Sequence, residues 1–339
     1  MPTRVAIVGV TGYAGGELAR LLLRHPGVTL VAPVSRSRHG EPLRNVLPHL
    51  HDAPSSLVVR SDVGDAEVVF TALPAGEAAK AAPAWLAEGR TVIDVGSDFR
   101  LEDADAYRRW YGYEHPSPEL LGRAVYGITE LNRERLRGTR LVANPGCYPY
   151  AALLALAPAV RAGLISGDVI VDAKSGVSGA GHTVDDAYLY GTIDESVRAY
   201  GVPKHRHTPE IARQLRVLGA EPRLTFTPHL IPMTRGLLAT CYATLRDGAT
   251  AEQVATAYAD AYAGEPFVRV TSTLPPTKAT LGSNWCLVHA LVDEETRRLV
   301  AVAVLDNLVK GAAGSAIQNL NVVCGLPETM GLEALPLWP

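Results

Sequence analysis

Residues 3–27 read TRVAIVGVTGYAGGELARLLLRHPG. A short β-rich run ends at Gly9, and Leu18, Leu21 and Leu22 then recur at helical spacing, so the stretch reads as strand, turn and helix. VTLVAPVSR (28–36) supplies a second strand and closes a βαβ unit of about 30 residues, the size of a mononucleotide-binding half. The glycines fall at Gly9, Gly12 and Gly15, a G-x-x-G-x-x-G spacing one residue off the common G-x-G-x-x-G. Its position between strand and helix strengthens the reading as a nucleotide site over that of a plain glycine turn. Glycine lets the backbone approach a pyrophosphate, and the free N–H groups of the helix start present a positive end to it. Thr11, Tyr13 and Ala14 share that turn and join the three glycines as expected cofactor contacts.

Roughly 20 residues past the last of these glycines, a unit for NAD shows an acid that holds the ribose hydroxyls. This chain has Ser35, Arg36, Ser37 and Arg38 there. Hydroxyls and guanidinium groups hold a 2′-phosphate that an acid would repel, so the expected cofactor is NADP(H). AEVVFTALP (66–74), the helix-like GEAAKAAPAWLAEG (76–89) and TVIDVGSDFR (91–100) continue a doubly wound rhythm. Ligands of such sheets lie beyond the carboxyl ends of the strands, which places Leu73, Pro74, Ser97 and Asp98 near cofactor or substrate. Arg100 reads as an anion clamp, or equally as the partner of Asp98.

The chain has 339 residues, 47% hydrophobic and 20% charged, which describes a folded protein with room for two cores. A net charge of −3 provides no basic field for nucleic acid, so a small-molecule partner is expected. Neither a leader-like start nor a membrane-length apolar run is evident, and the expected location is the cytoplasm, without a membrane partner. Cys147, Cys241, Cys286 and Cys324 lie far apart, without the paired spacing of a zinc site, so no metal is expected. Cys241, Cys286 and Cys324 read as small buried hydrophobes.

Cys147 differs. In NPGCYPYAALLALAP (144–158) it follows the strand-like LVANPG and begins an apolar helix, with Pro149 in the first turn where its missing N–H is no loss. The unpaired N–H groups of a helix start stabilise a thiolate and can hold a developing oxyanion. Cys147 is the expected nucleophile. The helix beyond it, apolar on nearly all sides, is expected to be buried between two domains.

With these residues in place, the chain resembles the N-acetyl-γ-glutamyl-phosphate reductases, within the wider group that includes aspartate-semialdehyde dehydrogenases. Seven segments carry the likeness in order: GVTGYAGGEL, VIDVGSDFRL, NPGCYP, DAKSGVSGAG, KHRHTPEI, IPMTRGLLAT and DNLVKGAAGSAIQNLN. The resemblance implies NADPH-dependent reduction of an acyl phosphate to an aldehyde, with release of phosphate, through a thioester on Cys147. It implies His207 as the acid and base, Glu210 as its orienting partner one helical turn on, and His205 and Arg206 at the anionic groups of the substrate; the two histidines can also be assigned the other way round. It places Ser178 and Gly179 beside the nicotinamide, adds Asn307 to the cofactor contacts, and adds Asn144, Ser175, Arg235 and Lys310 to the substrate contacts.

The fold class implied is α/β: a Rossmann-type doubly wound parallel sheet in residues 1–146, then an α+β domain like that of glyceraldehyde-phosphate dehydrogenase in 147–306. In the latter, DVIVDA, RLTFTPHLI, GLLATCYATL, CLVHALVDEE and LVAVAVLD are strands of a mixed or antiparallel sheet with helices on one face. Residues 307–339 form an Asp/Asn-initiated helix, with Ala313, Ile317 and Leu320 on one stripe, and a tail that return to the first domain. A homodimer or homotetramer is expected. Competing readings are a reductase of carrier-bound α-aminoadipyl phosphate, an aspartate-semialdehyde dehydrogenase, and a non-catalytic NADPH sensor.

Overall fold

The opening run forms strand β1 (Thr3–Val8), whose Val5, Ala6 and Ile7 are fully buried. In this computed structural model, which describes residues 1–182 and 184–338, β1 is central to a six-stranded sheet. Its other members are β2 (Val28–Val34), β3 (Val68–Thr71), β4 (Thr91–Asp94), β5 (Val125–Tyr126) and β6 (Leu141–Ala143). The order is β2-β1-β3-β4-β6-β5 and every ladder is parallel. Strands covered on both faces need unbroken apolar runs, and Val68–Phe70 and Val92–Ile93 supply them. Strand order reverses between β1 and β3, and there the chain is tight: Gly9 has φ +95°, and a Cβ on it would stand 2.3 Å from the Ala72 carbonyl oxygen.

The two compact units are Met1–Gly146 with Ala312–Ala334, and Cys147–Gly311 with the tail from Leu335. The expected third segment, 307–339, is therefore divided. Asp306, just before it, caps its start, its carboxylate accepting the N–H groups of Leu308 and Val309, and a π turn comes next over Val309–Ala313. Through Gly311 this turn packs in the second unit, and the Leu337 N–H donates to the Leu281 carbonyl there. Only from Ala312, through the helix Gly314–Val323 and on to Ala334, does the segment join the first unit. That helix buries polar residues beside its apolar stripe. Asn319 accepts from Thr129 Oγ1 and donates to Gly127 O and Asn144 Oδ1, and Asn321 meets His25 Nε2 at 2.9 Å.

The second unit is built on a mixed seven-stranded sheet: β7 (Ile165–Ser175), β8 (Arg198–Ala199), β9 (Arg223–Leu230), β10 (Leu237–Leu245), β11 (Val268–Val270), β12 (Cys286–Asp293) and β13 (Arg298–Leu305). The order is β11-β12-β13-β10-β7-β9-β8, with β11–β12 and β7–β9 parallel and the rest antiparallel. The short strands β5, β8 and β11 carry too little pattern to be anticipated. Val169, Val171 and Ala173 alternate with half-buried residues along β7, so one face forms the core.

The helix Cys147–Arg161 lies on this sheet, against the helices His207–Val217 and Ala251–Tyr262, and every residue from Tyr148 to Val160 is buried. Packing inside the second unit accounts for its all-round apolar character. Pro158 lacks the N–H that would bond Leu154 O, and the Tyr262 hydroxyl donates to that carbonyl instead. Cys241 and Cys286 are core residues, with burial pushing the Cys241 thiol up, whereas Cys324 is only half-buried. Among the described residues no helix is long and apolar enough to cross a membrane.

Candidate active site

In the first unit the helix Tyr13–Leu22 begins at Gly12 with no side-chain cap and no acid in its first turn. Gly15 is demanded by packing, since a Cβ there would sit 2.2 Å from Gly9 O. Gly12 is not: its Cβ would meet only Gly9 O, at 3.6 Å. A bare glycine the chain itself does not require, before an uncapped helix start, fits a dinucleotide pyrophosphate held at the amides that follow Gly12, whose own N–H donates to Gly9 O. At the end of β2, Ser35 is buried with its hydroxyl 3.4 Å from that of Ser37. The Arg36 side chain is 93% exposed and only 3.4 Å from Glu77 Oε2, so it can turn to a phosphate, whereas Arg38 is held by Glu41 at 2.7 Å.

Leu73 and Pro74 follow β3, Leu73 half-buried and Pro74 exposed. After β4, Ser97 O accepts from Tyr107, and the Asp98 carboxylate accepts from Gly76 N (2.7 Å), Ala79 N (2.9 Å) and the Tyr113 hydroxyl (3.1 Å). Asp98 thus caps the helix Glu77–Ala87. Arg100 is buried and donates to the carbonyls of Asn144 (2.9 Å) and Val95 (3.0 Å). Asn144 is fully enclosed, bonded to Ala312 O, Ser315 and Asn319. Both were expected to bind substrate; these bonds also make both of them braces of the first unit.

In the second unit Cys147 is the first residue of its helix and half-buried. Gly311 of the π turn stands behind it, where a Cβ would fall 2.8 Å from Cys147 Cβ. The next residue, Tyr148, organises the surroundings. Its hydroxyl donates to His229 O (3.1 Å) and accepts from Tyr200 (3.3 Å), and burial pushes both phenols up, Tyr200 to about 12. The Tyr148 ring centroid lies 6.0 Å from that of His205 and 5.9 Å from that of His207. His207 is the first residue of its helix, Arg206 is exposed, and Glu210 is fully buried one turn on.

Ser175 ends β7, buried, its hydroxyl donating to Gly176 O. A Cβ on Gly179 would come within 3.1 Å of the Ser175 hydroxyl oxygen. Asn307 donates to Ser178 Oγ (2.9 Å) and accepts from Gly236 N (2.8 Å), so it fixes the small-residue loop. Arg235 lies 3.7 Å from the buried Asp306. Lys310 is fully buried, its ammonium 5.2 Å from the Tyr150 ring centroid and 5.4 Å from that of Phe267. Tyr148, Tyr200, Phe226 and Gly311 were not foreseen. Only Tyr148, next to the cysteine, carried a signal.

A dinucleotide cradle on a parallel sheet, with a helix-borne cysteine and imidazoles on a mixed sheet, defines the semialdehyde dehydrogenase class. Residues 4–139 match the family described as "Semialdehyde dehydrogenase, NAD binding domain" and residues 147–307 that described as "Semialdehyde dehydrogenase, dimerisation domain". The chain is 50% identical over 349 residues to the N-acetyl-gamma-glutamyl-phosphate reductase of Symbiobacterium thermophilum, covering 100% of both. It is 48% identical over 340 residues to that of Dehalococcoides mccartyi, covering 99% of both. The fold also resembles aspartate semialdehyde dehydrogenase II of Vibrio cholerae (TM-score 0.70, 19% identity, 95% of this chain and 98% of that one) and the Candida albicans enzyme solved with NADP (TM-score 0.69, 15% identity, 95% and 98%). The chain belongs to the N-acetyl-γ-glutamyl-phosphate reductase family.

Proposed function

We propose that the protein reduces N-acetyl-L-glutamyl 5-phosphate to N-acetyl-L-glutamate 5-semialdehyde with NADPH, releasing phosphate. Cys147 at the start of a buried helix, with the His205–His207 pair packed on its neighbour Tyr148, carries the reading. The sulfur attacks the acyl carbon and phosphate leaves with the bonding pair, giving a thioester. The cofactor, when bound, supplies a hydride to that carbon. His207 protonates the resulting oxyanion and takes the proton back as the C–S bond breaks, returning Cys147 as thiolate. The amides at the start of the Cys147 helix would stabilise the oxyanion between those events.

Ser35, Ser37 and the largely exposed Arg36 support NADP(H) over NAD(H). The family description of residues 147–307 as a dimerisation domain supports a homodimer, or a homotetramer made from two. The test of function is the reverse reaction: phosphate-dependent NADP⁺ reduction by N-acetyl-glutamate semialdehyde, with NAD⁺ in parallel. Activity in the wild type and none in Cys147→Ser is expected. An inert wild type that binds NADPH would overturn the assignment and favour carrier-bound α-aminoadipyl phosphate or a sensing role.

A further inference from the structure

His205 has no part in the chemistry above, yet it is held more closely than a bystander. Its Nδ1 accepts the backbone N–H of His207 at 3.1 Å, and its carbonyl accepts from Thr208 at 2.9 Å. The helix it precedes has no side-chain cap at its N-cap residue, Arg206. The ring is enclosed by Tyr200 (centroids 5.4 Å apart), Phe226 (5.2 Å), His207 (4.8 Å) and Tyr148. On the remaining side Gly201, at φ +66°, leaves room for it, since a Cβ there would come within 3.1 Å of the imidazole.

We propose that His205 is a positioning residue: it caps the helix that begins at His207 and so sets the backbone and ring of His207 for proton transfer. An Nδ1 that accepts an N–H cannot carry the proton, which puts it on Nε2. Burial, with the nearby Arg206 charge adding to it, lowers the imidazole to about 4, so the ring stays neutral around neutral pH. The other titratable groups that face it are His207, Tyr148 and Tyr200. A proton carrier must gain and lose a proton each turnover, and His205 would break its own cap by doing so.

The inference rests on the reductase reading, so wild-type turnover is established first in the reverse assay. His205→Ala removes the cap and is expected to lower kcat roughly 10- to 100-fold, with KM within about 2-fold and the His207 limb of the pH–rate profile unmoved. His205→Asn presents an oxygen near the place of Nδ1 and is expected to recover kcat to within about 5-fold of wild type. An Asn variant as inactive as Ala, or one that has lost the pH limb, would overturn the proposal. A second measurement needs neither turnover nor a folded Ala variant. Nitrogen NMR of the wild type, with His205 assigned by its absence from the Asn variant, should show an Nε2–H tautomer that does not titrate between about pH 5.5 and 8. An Nδ1–H tautomer, or a titrating ring, also defeats it.

Discussion

Asp94, at the end of β4, is fully buried, and its carboxylate accepts from Thr71 Oγ1 (2.6 Å), Gly96 N and Asp98 N (both 3.0 Å). Burial and the neighbouring Asp98 outweigh these donors and the Arg100 charge, and raise Asp94 to about 7. In the unfolded chain an aspartate releases its proton near pH ~4. Between those values the folded state binds more protons, so this group's contribution to stability is full below about pH 4 and is lost as pH rises through about 7. Denaturant melts of wild type against Asp94→Asn should show the wild type losing ground from pH 4 to pH 7 and running parallel above; a constant difference removes the argument. Tyr262 tests a neutral group. Tyr262→Phe leaves Leu154 O without its donor beside Pro158, and should cost about 1–3 kcal/mol in urea melts. Tyr258→Phe should cost less, because Ala155 O keeps its helical partner. At this scale Cys147 was legible, since Pro-Gly before it and Pro149 after it mark a helix start. The enclosure of Arg100, Asn144 and Lys310 was not legible, because a polar side chain looks the same in sequence whether it meets a ligand or a buried carbonyl.

At the scale of elements, the glycine turn divides its glycines between fold and ligand. Gly15→Ala would drive a Cβ into Gly9 O and should lower Tm by roughly 5 °C or more. Gly12→Ala adds a methyl in ordinary contact with Gly9 O, so Tm should hold, while the methyl stands before the helix amides and weakens NADPH binding about 10-fold or more. Calorimetry and fluorescence titration of both variants separate the effects; equal losses in both would mean that Gly12 is also structural. The strands β1, β2, β3, β4 and β6 were readable because buried parallel strands need apolar runs between turn residues. The π turn was not. Its i to i+5 bond from Gly311 N to Asp306 O arises from Gly311 fitting against Cys147, a contact between residues far apart in the chain.

At the scale of the molecule, the first unit is closed by residues from the far end of the chain. A chain ending at Gly311 loses Gln318, Asn319 and Asn321 and their bonds to Glu130, Thr129, Gly127 and His25, and should no longer bind NADPH. One ending at Ala334 gives up the Leu337 bond to Leu281 in the second unit and should still bind it. NADPH titration of the two truncations checks this, and binding by the shorter chain would show the terminal helix to be dispensable. What the sequence by itself determined is local or periodic: the βαβ opening, the NADP-type Ser-Arg-Ser turn, the alternating strands of the second unit, and the cysteine at a helix start. These come from strand and helix periods and from the backbone freedom of glycine and the rigidity of proline, which act over a few residues. Only the tertiary structure decided which polar groups are enclosed, where the chain passes from one unit to the other, and that His205 caps the helix of His207 inside a box of Tyr148, Tyr200 and Phe226. Those outcomes depend on side chains brought together from distant segments, whose burial and partners no local pattern records.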